Sequence, residues 1–187
     1  IGSYGFPVQF VVLVFMLLGG TNFFLHYRAI YKRELSAYVR NRELMFTMCL
    51  FLAAAVLITL FVVAKDWNGT GDALNEFWRS VFTVVSLGTT TGYSIYDFTA
   101  WPVTASFILL LVGFIGAMSG STAGGFKTYR VMILWKYVSY GFHKMIHPNA
   151  VQEIKMDSGT VNQDALMSTL VMFILFIGCV LFSAVFF

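Results

Sequence analysis

Two stretches without a single charged side chain, residues 44–64 and 165–187, limit what this chain can fold into. A bilayer core about 30 Å thick needs roughly 20 apolar residues of helix, at about 1.5 Å of rise each. Both stretches supply them, the first with only Thr47 and Thr59 among its apolar residues. Two weaker stretches accompany them. Phe6 to Leu25 is apolar as far as Leu18, apart from Gln9, and then reads Gly19-Gly20-Thr21-Asn22. Pro102 to Met118 is apolar but short. Only 11% of the residues are charged and 58% are hydrophobic, whereas about a quarter are charged in soluble domains. Lipid is the solvent that suits this balance. Cys49 and Cys179 both lie within the uncharged stretches, which reads as apolar filler rather than a disulfide framework.

The basic residues set the expected orientation, because short cytoplasmic connections collect Lys and Arg. Arg28, Lys32, Arg33, Arg40 and Arg42 lie between the first and second stretches. Lys127, Arg130, Lys136, Lys144 and Lys155 lie between the third and fourth, and only Lys65 and Arg79 between the second and third. The two basic connections are therefore expected in the cytoplasm against anionic lipid, and Lys65 to Trp101 outside. The chain starts with Ile1 rather than Met, shows no signal sequence and stops at Phe187 within an apolar stretch, so an interior piece of a longer membrane protein is expected.

The outside connection does not read as a plain loop. Asp72 is a suitable N-cap with Glu76 in the opening turn, and Leu74, Phe77, Trp78, Val81, Phe82 and Val85 follow at helical spacing. A helix over Ala73–Ser86 would be about 21 Å long, too short to cross and too apolar to lie in water. It is expected to dip into the membrane and return. The chain then reads SLGTTTGYS from Ser86 to Ser94. Non-helical backbone inside a bilayer is tolerated only where protein buries it or where it lines a water-filled cavity. A helix C-terminus favours a cation, carbonyls of a following strand can replace a cation's hydration shell, and Gly92 admits backbone angles that a side chain opposes. Thr90, Thr91, Gly92 and Tyr93 suit those tasks, with Thr89 and Ser94 as support. An ordinary extracellular turn is the competing reading.

The chain also resembles itself weakly. Phe6-Pro7 and Trp101-Pro102 each precede an apolar run, and Tyr27-Arg28 and Tyr129-Arg130 each follow one. The prolines stand 95 residues apart and the Tyr-Arg pairs 102 apart, so the later copy holds seven more residues. GAMSGSTAGGFKT, from Gly116 to Thr128, lies in that interval. Gly120–Thr128 approaches a phosphate-cradling loop, but Phe126 separates Gly125 from Lys127 and an apolar run stands where a strand belongs. A helix interrupted before it has crossed is the alternative, with Gly19-Gly20-Thr21-Asn22 as a lesser break at the corresponding point. A glycine-rich packing face of a continuous helix is the third reading. His26, His143 and His147 lack ligand spacing, so no transition-metal site is expected.

These motifs, with WP at 101–102, GAMSGSTAGGFKTYR at 116–130 and HPNAV at 147–151, resemble the Trk/Ktr/HKT superfamily of potassium transporters, and within it the bacterial TrkH branch. The resemblance covers essentially the whole chain. It implies an all-α membrane protein built from pore-loop repeats, four to a chain around one pore. On that plan residues 1–43 end a second unit and 44–142 form a complete third. That third unit has a crossing at 44–64, a pore helix at 73–86, a filter at 89–94 and a broken crossing at 102–142. Residues 143–164 are then a cytoplasmic connection, and 165–187 open a fourth unit. The resemblance further implies K+ uptake across the bacterial inner membrane, with Gly92 as the central filter glycine. Gly116, Gly120, Ser121, Thr122, Gly124 and Gly125 would form an intramembrane gate, with Lys127 tuning the pore potential. No cofactor beyond the transported K+ is implied, and no nucleic acid. The implied partners are a second copy of the full-length chain and a TrkA-like nucleotide-binding regulatory subunit in the cytoplasm. The competing classes are a homotetrameric channel with one pore loop per chain and a nucleotide-dependent membrane enzyme using Gly120–Thr128.

Overall fold

Pro7 and Pro102 each stand at the start of an apolar helix, where a missing amide costs nothing. The computed structural model describes residues 1–65, 73–146, 155–156, 159–160 and 163–186. Helix α1 spans Phe6–Gly20 and α6 spans Val103–Ile115, and their C-caps, Thr21 and Gly116, each lie fourteen residues beyond the proline. The two breaks thus fall at matching points of the weak sequence repeat. The first run stops five residues before Leu25, because α2 (Phe23–Tyr31) leaves α1 at an angle of 101°. The cause is local. Gly19 and Gly20 are poor helix formers, the Thr21 hydroxyl bonds back to the Leu17 carbonyl at 2.8 Å, and the Asn22 side chain caps the Phe24 amide at 2.8 Å.

A short α3 (Ser36–Arg40) leads into α4 (Arg42–Lys65), whose 24 residues suffice to cross a membrane. Helix α5 (Ala73–Gly88) follows, two residues longer than the spacing predicts, and Asp72, its expected N-cap, lies outside the described residues. Residues 1–128 form one compact unit, in which α5 packs against α4, α6 and α1. Lipid is as apolar as leucine, so close packing rather than transfer from water holds such helices together. Helix α4 shows this: Phe51, Ala54, Ala55, Ile58 and Val62 are buried, whereas Leu52, Leu57, Leu60 and Phe61 are exposed. Small residues let a neighbour approach. A Cβ on Gly88 would come within 2.5 Å of the Phe51 ring. Gln9, the one polar residue in the first half of α1, accepts a hydrogen bond from Trp78 Nε1 of α5 at 2.9 Å.

Residues 129–187 form a second unit. It holds most of α7 (Thr128–Ile146), a two-residue antiparallel ribbon of β1 (Lys155–Met156) and β2 (Gly159–Thr160), and α8 (Gln163–Phe186). Ala165–Ser183 within α8 is long and apolar enough to cross a membrane. The all-α expectation holds apart from that ribbon, which falls in the expected connection 143–164. HPNAV lies outside the described residues.

Candidate functional site

Helix α5 is buried all round in its second half, where Phe82, Val84, Val85 and Ser86 are all buried. Protein, rather than lipid, surrounds the place where it ends. Beyond Gly88 the chain does not become a uniform strand. Thr89 and Thr90 form a turn, and Thr90 and Gly92 adopt positive φ angles of 55° and 78°. The amides of this stretch all turn back to the helix end: Thr89 to the Val85 carbonyl at 2.9 Å, Thr90 to Leu87 at 3.0 Å, and Thr91 and Gly92 to Ser86 at 2.9 and 3.4 Å. Such bonds satisfy the carbonyls that a helix terminus leaves unpaired.

Peptide planarity gives this pattern a consequence. Each bond here is trans, so the carbonyl preceding an amide points the opposite way. The carbonyls of Thr89, Thr90 and Thr91 are therefore directed away from the end of α5. Residues Thr90 to Ser94 are exposed, and among the described residues nothing donates to the carbonyls of Thr90, Thr91 or Gly92. Tyr93 differs. Its carbonyl accepts the Ser86 hydroxyl at 2.6 Å, which holds it against α5, and its ring is half exposed. Thr89 and Thr91 join hydroxyls at 2.8 Å. Downstream, the Arg79 guanidinium lies 4.5 Å over the Tyr96 ring, which stacks on Trp101 at 6.3 Å, and these contacts fix the far end of the segment to α5.

The second glycine-rich segment is a loop. Residues 116–127 are not helical, which excludes a continuous glycine-faced helix there. Gly116, Gly120 and Gly125 have φ angles of 74°, 73° and 82°. Gly116 and Gly125 are also crowded, since a Cβ on Gly116 would lie 2.3 Å from the Gly124 carbonyl oxygen. The loop folds back on α6: Phe126, Lys127 and Thr128 donate their amides to Phe114, Ile115 and Ala117 at 3.0, 2.8 and 3.1 Å. Lys127 turns its ammonium onto the loop's own carbonyls, those of Ala123 and Ser121. The Ser121 hydroxyl donates to Met118 at 2.6 Å.

The two helix breaks satisfy each other. Met118 and Thr122 donate their amides to the carbonyls of Gly20 and Gly19, both at 3.2 Å, and Phe23 returns one to Gly120 at 3.1 Å. The Thr122 hydroxyl adds a bond to Gly19 at 3.0 Å. The loop also reaches the 89–94 segment, where the Gly124 amide donates to Thr90 Oγ1 at 2.7 Å. A cavity of about 390 Å³ lies between the apolar side of α1 and the residues Thr89, Thr91, Tyr93 and Thr122. The amides of Thr122, Gly124, Phe126, Lys127 and Thr128 are all engaged internally, so they cannot cradle a phosphate as a nucleotide loop requires.

Sequence reasoning missed Glu43. It is buried in the first turn of α4, where it accepts the Ser119 amide on Oε1 at 2.6 Å. The Thr128 hydroxyl lies 3.3 Å from the same oxygen and 3.0 Å from that of Thr47. The one signal in the sequence was an acid directly preceding an uncharged stretch.

Apolar crossings, a buried half-length helix and backbone that leaves helical form within the protein define a multi-pass helical membrane protein. A profile of the TrkH family, described as cation transport protein, matches residues 2–186. The chain belongs to the TrkH family, a family of transporters rather than enzymes. It is 34% identical over 154 residues to the Trk system potassium uptake protein TrkH of Halomonas elongata, covering 82% of this chain and 31% of that protein. It is 32% identical over 157 residues to the protein of the same name from Escherichia coli K12, covering 83% and 32%. The crystal structure of the potassium transporter TrkH from Vibrio parahaemolyticus superposes with a TM-score of 0.82 at 25% identity, over 93% of this chain and 37% of that one. The chain thus spans about a third of the length of the curated relatives it matches.

Proposed function

We propose that this chain supplies one strand of a potassium-selective filter and the gate beneath it, in a protein that takes up K+ across a bacterial inner membrane. The observation that carries the proposal is the set of amides at Thr89–Gly92 folded back onto the end of α5. In an ordinary strand successive peptide groups alternate between two sides. Here positive φ at Thr90 and Gly92 accompanies carbonyls at Thr89–Thr91 that all face away from the helix. Several carbonyl oxygens on one side are what a dehydrated cation needs. Thr90 and Thr91, whose carbonyls face this way, and Gly92, whose carbonyl no described residue engages, are the residues we assign to ion binding. Tyr93 belongs to the same strand but has its carbonyl steadied by Ser86, and Thr89 and Ser94 hold the two ends. Equivalent strands elsewhere in the full-length protein complete the ring, on the plan that 44–142 is one pore-loop unit of several.

The loop 116–127 is the gate in this reading. Gly116, Gly120, Ser121, Thr122, Gly124 and Gly125 give it its shape, and Lys127 places a positive charge beside the ion path. The names of the relatives, Trk system potassium uptake proteins, support K+ as the ion. A second copy of the full-length chain and a TrkA-like cytoplasmic regulator are the proposed partners.

The test is complementation. The full-length protein, expressed in a bacterium without its own potassium uptake, should restore growth at low K+ and carry Rb+. A protein that reaches the membrane yet restores neither contradicts the proposal. The purified membrane protein alone should not bind nucleotide.

A further inference from the structure

We infer that Glu43 is the pin that holds the gate loop in the position seen here, an inference that rests on reading 116–127 as the gate. The loop is attached by backbone bonds to the end of α6 and to the α1–α2 break, by the Thr90 hydroxyl, and by the Glu43 carboxylate. Among these attachments, the one made by an ionisable side chain of another element is that of Glu43. It sits in the first turn of α4, the long crossing. A carboxylate at a helix N-terminus is stabilised there by the helix dipole, so α4 presents a fixed acceptor. One oxygen, Oε1, receives the Ser119 amide at 2.6 Å near the start of the loop and faces the Thr128 hydroxyl at 3.3 Å just past its end, a hydroxyl that the Ala117 carbonyl shares at the same distance. The two ends of the segment are thereby held to one atom. The Thr47 hydroxyl, 3.0 Å from that of Thr128, steadies the second contact from the same helix. A charged acceptor makes a stronger hydrogen bond than a neutral one, and burial protects it from water. Displacing the loop breaks both contacts at once. Glu43 is a positioning residue in this scheme and does not touch the ion.

The experiment measures Rb+ influx into proteoliposomes containing the full-length protein without its regulatory subunit. Glu43→Ala should raise influx about tenfold, as expected when a charge-assisted bond that favours the loop position seen here, which the proposal reads as closed, is lost, with the Rb+ over Na+ preference unchanged. Glu43→Gln keeps an acceptor at the same reach and should leak less than Glu43→Ala. A residue needed only for folding would lower influx when replaced, not raise it. If Glu43→Ala does not reach the membrane, Thr128→Val carries the test, and its influx should rise about threefold because the hydroxyl shared between Oε1 and the Ala117 carbonyl is lost. A protein shortened by residues 120–122 is the control for the gate itself. If shortening raises influx while Glu43→Ala or Thr128→Val leaves it unchanged or lower, the pin is overturned and the gate stands. If shortening does not raise influx either, the gate reading falls and the pin falls with it.

Discussion

Thr90 is where the proposed filter and the proposed gate meet. Its φ of 55° is uncommon for a β-branched residue, and its hydroxyl accepts the Gly124 amide at 2.7 Å. Such strain persists only where the surroundings over-determine it. Thr90→Val keeps the shape and removes the acceptor, so it should lower Rb+ over Na+ selectivity severalfold, whereas Thr90→Ser should retain it. Competitive uptake of the two ions checks both. Gly116 gives a purely structural prediction. A Cβ there meets the Gly124 carbonyl oxygen at 2.3 Å in a backbone with φ of 74°, so Gly116→Ala should destabilise by about 2–5 kcal/mol, read as a fall in the melting temperature in detergent. The glycines of this loop were legible in the sequence because glycine is the residue such angles select. The positive φ of Thr90 and of Lys127 was not. Nothing in a threonine or lysine marks it, and only the hydrogen bonds around each one impose it.

At the scale of elements, the sequence marked both helix breaks but not that they join. Gly19-Gly20-Thr21-Asn22 and Gly116–Thr128 each leave backbone groups that cannot stay unpaired within a membrane. The solution is mutual: Gly19 and Gly20 accept from Thr122 and Met118, and Phe23 donates to Gly120. Those partners are about a hundred residues apart in the chain, beyond the reach of any local pattern. Asn22 caps α2 at this junction and lies against Gly120, whose added Cβ would meet its side chain at 3.0–3.1 Å. Asn22→Ala should therefore cost about 1 kcal/mol through the lost cap, seen as a lower melting temperature, and should raise proteolysis at 118–123. The helix at Ala73 was legible to within two residues of its end, because its apolar spacing continues until the glycine and threonines begin. The segment after it was expected as an extended strand and is irregular, because its amides find the carbonyls of α5 instead of a neighbouring strand.

At the scale of the whole molecule, hydropathy alone marked α4 and α8 as crossings, since an uncharged run of that length has few other solutions. It could not mark which side of α4 is buried. That helix is apolar all round, and the choice of Ala54, Ala55 and Ile58 over Leu57 and Leu60 is made by the fit against α5 and α6. Glu43 was invisible for a related reason, because an acid before an apolar run reads as a boundary until Ser119 is found beside it.

The most direct test of the transport reading is Gly92→Ser in the full-length protein, in a bacterium lacking other potassium uptake. A Cβ at Gly92 meets nothing within 4 Å at a φ of 78°, so the substitution acts on backbone conformation, at a cost of about 1–2 kcal/mol, and not on packing within this chain. With membrane expression unchanged, Rb+ uptake should fall or Na+ should be admitted. Unchanged uptake and unchanged selectivity would make residues 89–94 an ordinary turn and contradict the filter.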